Sequence, residues 1–170
     1  MTGLLRTSLL LTFALFWGGL TFYTGIVVRI SHDVVSDLME GGLITQRVTV
    51  WLQYLGAACV LLMLANAAVV FRCRRGWGTA LGLCAVLTGV SVIGLTIVHG
   101  HLDAVIDVAA QTVTDQDAFD IGHRRYNQLT TVEWLSTLCY LIITVFAWQR
   151  LDTSASGDAS AKQTKNPSAA

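Results

Sequence analysis

Four apolar runs, residues 9–28, 51–71, 77–98 and 129–148, constrain this chain more than any motif in it. Each is at or near the ~20 residues that carry an α-helix across the hydrocarbon core of a bilayer. In lipid the backbone must satisfy its own hydrogen bonds, so such runs are helices when they cross. The chain is therefore predicted to be an all-α, integral membrane four-helix bundle, with spans at about 8–29, 49–71, 77–99 and 128–149. Composition agrees: 54% of the 170 residues are hydrophobic and 13% charged, against about a quarter charged in soluble domains. Four spans in 170 residues leave no room for a separate soluble enzyme domain. Arg6 ahead of the first run resembles the start of a signal peptide. However, Trp17-Gly18-Gly19 and Tyr23-Thr24-Gly25 interrupt the run, and no small-x-small cleavage site precedes Arg29, so a retained first span is expected.

Lys and Arg near the span ends set the orientation. With the N-terminus inside, the inner side holds Arg6, Arg72, Arg74, Arg75, Arg150, Lys162 and Lys165, against Arg29, Arg47, Arg124 and Arg125 outside. The expected location is a bacterial inner membrane, multi-pass, with both termini cytoplasmic. All four histidines, His32, His99, His101 and His123, then fall on the outer side with most of the acidic residues. Trp51, Tyr126 and Trp134 sit at the outer interface and Phe71, Trp77 and Trp148 at the inner one.

Short interfacial helices are expected in the two outer loops. In the first, Val34, Val35, Leu38 and Met39 recur at helical spacing and Gly41-Gly42 reads as a stop. In the second, Leu102, Val105, Ile106 and Ala109 form an apolar stripe with Asp103 and Asp107 on the polar face. Thr114 and Asp117 resemble a capping box, from which a helix is predicted to run through His123 into span four. The inner connection over residues 72–76 is short enough to make spans two and three an antiparallel hairpin. Residues 1–150 thus form the four-span domain and residues 151–170 a disordered cytoplasmic tail, rich in Ser and Ala and containing the only proline.

Gly18, Gly19, Gly25, Gly56, Gly78, Gly82, Gly89 and Gly94 mark where helices approach, and Gly78 with Gly82 is a literal GxxxG. Bundle assembly is the first use of these faces and a homodimer the second. Cys59, Cys73, Cys84 and Cys139 are scattered, with no CxxC pair. The three within spans are expected to be small buried hydrophobes.

The residues able to carry chemistry gather on the outer side. His99 and His101 flank Gly100 and precede Asp103. With His123 they are the candidate metal ligands, while ordinary hydrogen bonding at helix ends is the simpler reading for each. Glu133 lies within the apolar part of span four, where an unpaired charge costs a few kcal/mol. It is expected to face the bundle, pair with a cation or be protonated, Arg29 being the nearest partner by depth and Arg47 the next. Asn66 and Gln53 read as interhelical hydrogen-bond glue. Arg124-Arg125 offsets the acidic outer surface.

The segments FWGGLTFYTGIVV, GLITQRVTVWL, HGHLD and DAFDIGHRRYNQLTTVEWL together resemble a group of small bacterial four-span membrane proteins of uncharacterised activity. More distantly, the approach to the last span looks like the four-helix transmembrane domain of unknown function shared with eukaryotic transmembrane proteins. The resemblance covers about residues 8–150. It implies the four-span fold, marks His123, Tyr126 and Trp134 as signature positions, and carries no activity.

Nothing in the sequence demands chemistry. There is no P-loop and no nucleophile elbow, so no enzyme is expected. The first reading is a structural or accessory membrane subunit, its partners the lipid bilayer and a membrane protein or second copy, with no nucleic acid. The second is an outward vestibule of His99, His101, Asp103, His123 and Glu133 that binds or passes a small cation or proton. A third is a membrane cytochrome with haem between His99 and His123. No cofactor is required, and a metal ion or haem enters only with the second and third readings.

Overall fold

The computed structural model describes residues 3–34, 38–107, 110 and 112–165, with side chains described except at 32, 38–41, 155 and 157–165. Helix α1 (Gly3–Phe22) passes through a five-residue π-helical segment, Tyr23–Val27, into α2 (Val28–Val34). Helix α3 (Leu38–Cys73) and helix α4 (Arg75–Ala104) form the central hairpin. A two-residue ladder of β1 (Ile106–Asp107) and β2 (Thr112–Val113) then leads into α5 (Gln116–Lys165). Four helical stretches, Gly3–Ser31, Gly42–Cys73, Arg75–Ala104 and Gln116–Ser154, are long and apolar enough to span a membrane.

The helices close into a ring in which α1 packs on α3 and α5, α3 on α4, and α4 on α5. On α1, Leu9, Phe13, Phe16 and Leu20 are buried at the three- and four-residue spacing of one helix face. They meet Cys59, Met63, Ala67 and Val70 of α3 and Tyr140, Ala147 and Trp148 of α5 in one core. The outward faces carry large apolar side chains, Leu15, Leu61, Leu83 and Ile93 each more than 60% exposed. Hydrophobic residues all round a helix are what lipid-facing bundles require. At one end of the ring lie the α3–α4 turn and the first residues of α1. This basic end is closed by Arg6, which donates to both carboxylate oxygens of Asp152 at 2.7 Å and lies 4.9 Å over the Trp148 ring. The opposite, histidine end carries the β1–β2 ladder and His99, His101 and His123.

Several expectations are corrected. Gly41-Gly42 is no stop: α3 runs through both, and Gly42 has none of the left-handed backbone that makes a glycine terminate a helix. Val34 is the last described residue of α2, Val35 lies outside the described residues, and so do the side chains of Leu38 and Met39. The stripe of Leu102, Val105 and Ile106 is not a second interfacial helix, since α4 ends at Ala104 and Ile106 pairs with Val113. β-Branched residues on both sides favour that ladder, and Asp107 Oδ1 accepts from the Ala110 N–H across the turn. Ala109 lies outside the described residues. The cap of α5 is Asp115, whose Oδ1 accepts from the Ala118 N–H at 2.9 Å, and not Thr114. Helix α5 does run unbroken through His123, and it continues to Lys165 where the composition predicts disorder. Ala, Gln and Lys tolerate that continuation, and the proline at 167 lies beyond it among residues 166–170, which are outside the described ones. Of the three span cysteines only Cys59 is fully buried, and Cys139 is exposed on the outside of α5.

The GxxxG pair splits. A Cβ on Gly78 would come 2.3 Å from the Phe71 backbone, so the hairpin closes there only because the side chain is absent. One turn along, a Cβ on Gly82 would meet nothing within 4 Å.

Candidate functional site

Glu133 is 3% exposed, in the half of the bundle nearer the histidine end. The cross-links of α4 place it. Thr88 is hydrogen-bonded to Ser136 at 2.8 Å, and a Cβ on Gly94 would lie 3.1 Å from Leu129, so buried Ser91 stands level with Glu133. On α3, Gly89 against Val60 and Thr96 donating to Gln53 at 3.4 Å bring Cys59 to the same level. Tyr126 stands two turns earlier than Glu133 on the same face of α5. The Glu133 backbone carbonyl accepts from both Ser136 and Thr137, which fastens the helix at this point.

The expected pairing of Glu133 with Arg29 or Arg47 does not form. Ion pairs among the described residues are Arg6 with Asp152 and His99 with Asp103, and both Arg29 and Arg47 are exposed. An arginine at a span end gains more from water than from reaching inward to a carboxyl. Among the described residues the Glu133 carboxyl has neither counter-ion nor hydrogen-bond partner.

Above Glu133 lies a column of neutral polar groups from three helices. The Tyr126 hydroxyl faces Thr49 and Gln53 of α3. Tyr23, buried at the start of the π-helical segment, faces Thr45 and lies near Tyr126. The extra residue of the π turn, closed by the Val28 N–H donating to the Tyr23 carbonyl, re-phases the helix at that level. The buried Gln53 Nε2 has no hydrogen-bond partner among the described residues.

His99 connects this column to the surface. Its side chain is 14% exposed, its Nε2 lies 3.7 Å from an oxygen of Asp103, and its ring centroid is 6.5 Å from that of Tyr126. Asp103, 41% exposed, also accepts from Gln46 of α3. The other candidates point elsewhere. His101 is exposed two residues along α4 from His99, a spacing that puts the two rings on different faces. His123 is exposed and stacks on Phe119 with centroids 6.0 Å apart. The His32 side chain lies outside the described ones. Among the described residues no three His, Cys, Asp or Glu converge as metal ligands, so His99, His101, Asp103 and His123 are not brought to one point.

In the other half of the bundle Asn66 is the glue it is predicted to be. Its Nδ2 donates to the Tyr140 hydroxyl at 2.8 Å, its Oδ1 accepts from Trp148 Nε1 at 3.0 Å, and the Tyr140 hydroxyl donates to the Met63 carbonyl at 2.7 Å. That network is satisfied at every member and buried, unlike the column at Glu133. Tyr23, Thr49 and Cys59 are the site residues that sequence reasoning misses. The one signal pointing to them is spacing: Thr49, Gln53, Gly56 and Cys59 recur at three- and four-residue intervals on α3. No family model, no curated protein and no solved structure matches the chain.

Proposed function

We propose that the chain crosses a membrane four times and takes up a proton at Glu133 from the histidine end, by way of Asp103, His99 and Tyr126. One observation carries this reading: a carboxyl 3% exposed inside an apolar bundle, with no cation beside it among the described residues. A charge in that setting costs a few kcal/mol, so the group is neutralised by a proton or by a bound cation. The residues between it and the surface are groups that exchange protons. Asp103 is exposed, His99 sits half-sheltered beside it, and the Tyr126 ring lies beyond His99. From Tyr126 to Glu133 is two helical turns, longer than one hydrogen bond, and the Gln53 Nε2, without a hydrogen-bond partner among the described residues, stands beside that gap, where a water would find a donor. A proton suits this arrangement better than a metal ion, because Glu133 and Asp103 are at different depths and, among the described residues, no three His, Cys, Asp or Glu converge on either one.

Dicyclohexylcarbodiimide, an apolar reagent that modifies protonated carboxyls in lipid, tests the proposal on the full chain in vesicles. A single adduct located at Glu133 by mass spectrometry, absent in Glu133→Gln, is expected. Labelling should decline as the bathing pH rises, and its response to pH should slow in His99→Phe and Tyr126→Phe. Protection by sodium or potassium at constant pH would assign the site to a cation instead. Absence of any Glu133 adduct across the pH range would dispose of both.

A further inference from the structure

At the basic end the α3–α4 hairpin carries an open groove of about 570 Å³, within the ~300–1,000 Å³ range of ligand sites. Leu64, Ala68 and Phe71 of α3 and Gly82, Leu83 and Val86 of α4 form its apolar walls. Its origin is the split GxxxG. The helices are pinned together at Gly78 and diverge a turn deeper, where Gly82 leaves open space and alanines 67 and 68 stand opposite. The groove is therefore a gap in the bundle wall, open toward whatever surrounds it.

Its mouth is cationic. Arg72 lines the groove, and Arg74 and Arg75 follow in the turn. Arg74 is engaged with the Ser154 hydroxyl at 2.8 Å. Arg72 and Arg75 have no ion pair among the described residues, and no acidic residue lines the groove. Helix α4 begins at the same place, with Arg74 as its N-cap and no side-chain cap on its first N–H groups. Free N–H groups, the positive end of a 30-residue helix and unpaired guanidinium groups all favour an anionic oxygen group there. A long apolar crevice beneath an anion site matches one class of molecule in a bilayer.

We infer that this groove binds an anionic diacyl phospholipid from the leaflet at the basic end. The phosphate lies on Arg72, Arg75 and the first turn of α4, and one acyl chain fills the cleft beside Gly82. The inference rests on the membrane crossing proposed above and is independent of the Glu133 site. Basic crevices between helices are recognised this way because each Lys or Arg near the surface contributes roughly fivefold in lipid affinity.

Native mass spectrometry of the full chain, released from vesicles of mixed phosphatidylglycerol and phosphatidylcholine with the same acyl chains, reads the result. One phosphatidylglycerol is expected to be retained in preference to phosphatidylcholine by about tenfold or more. Arg72→Gln with Arg75→Gln should erase the preference while leaving the helical circular dichroism unchanged. Gly82→Leu, whose new side chain projects into open space, should expel both lipids from the groove. Equal retention of the two lipids, or a preference that survives the double arginine variant, overturns the inference, as does Gly82→Leu retaining lipid like the parent chain. A dimer that Gly82→Leu dissociates would assign the groove to a second copy and overturn it as well. Failure of the chain to insert into the vesicles would instead strike the membrane crossing itself, a result separable from lipid choice by flotation of the vesicles.

Discussion

Trp17 of α1 and Trp134 of α5, 117 residues apart, stack with ring centroids 5.2 Å apart, and two indole hydrogen bonds tie α1 to α5 around the stack. The Trp134 indole donates to the Thr21 hydroxyl at 2.8 Å, and the Trp17 indole donates to the Trp134 carbonyl at 3.3 Å. Trp134 is the residue next to Glu133, so this clamp fixes the rotation of α5 where the buried carboxyl sits. The two substitutions Trp17→Leu and Trp134→Leu should therefore be coupled. Their combined effect on unfolding in mixed micelles should fall short of the sum of the single effects by about 0.5–1.5 kcal/mol, the usual worth of an aromatic pair. Strict additivity would mean that the stack holds nothing in place.

The Asn66, Tyr140 and Trp148 network should respond asymmetrically. Tyr140→Phe removes one hydroxyl but leaves both the Asn66 amide and the Met63 carbonyl without it, in a fully buried setting. A loss of about 1–3 kcal/mol is expected in steric-trap or denaturant unfolding. Asn66→Leu in that background should recover some of the loss, because an apolar group then replaces the orphaned amide. Further loss in the double variant would show that Asn66 is held by contacts other than these hydrogen bonds.

The four long apolar helices are legible in the sequence because mean apolarity over 20 or so residues is a property of the run and needs no partner. Glu133 is legible for the same reason, as a carboxyl standing out against an apolar background. Tyr23 is not. In the sequence it reads only as part of the Tyr23-Thr24-Gly25 interruption of the first run, and its burial comes at the start of the π-helical segment. Pairing is the other blind spot. Arg29 is at the right depth for Glu133, but depth says nothing of azimuth, and an exposed guanidinium prefers the water nearby. Gly41-Gly42 misleads because glycine stops a helix only when the backbone turns left-handed, which is a property of the conformation and not of the residue type. Asp107 and the β-branched residues about it are too few to outweigh a helical stripe when read one segment at a time.

Gly78 and Gly82 should differ under the same substitution. Gly78→Ala puts a methyl 2.3 Å from the Phe71 Cα, a backbone atom that cannot swing away, so α3 and α4 must separate. The expected cost is about 1–3 kcal/mol. Gly82→Ala meets nothing and should be neutral or up to ~1 kcal/mol stabilising from helix propensity alone. Thermal midpoints of the two variants in one detergent check the ordering. Equal effects would show that the hairpin is not pinned at Gly78.

The cysteines report which surfaces water reaches. Cys73 is exposed at the tip of the hairpin beside three arginines, Cys139 is exposed on the apolar outer face of α5, and Cys59 is sealed in the core. The thiolate attacks the maleimide double bond, and it forms in water and not in hydrocarbon. In intact vesicles a membrane-impermeant maleimide should therefore modify Cys73 alone, and from one side of the bilayer only. Dissolving the vesicles in detergent should not expose Cys59, whereas denaturation should release all four thiols. Cys73→Ser should leave the native chain in vesicles unlabelled. Labelling of Cys139 at the rate of Cys73 before detergent is added would mean that the outer face of α5 is not in lipid, and the crossing proposed for Gln116–Ser154 would fall with it.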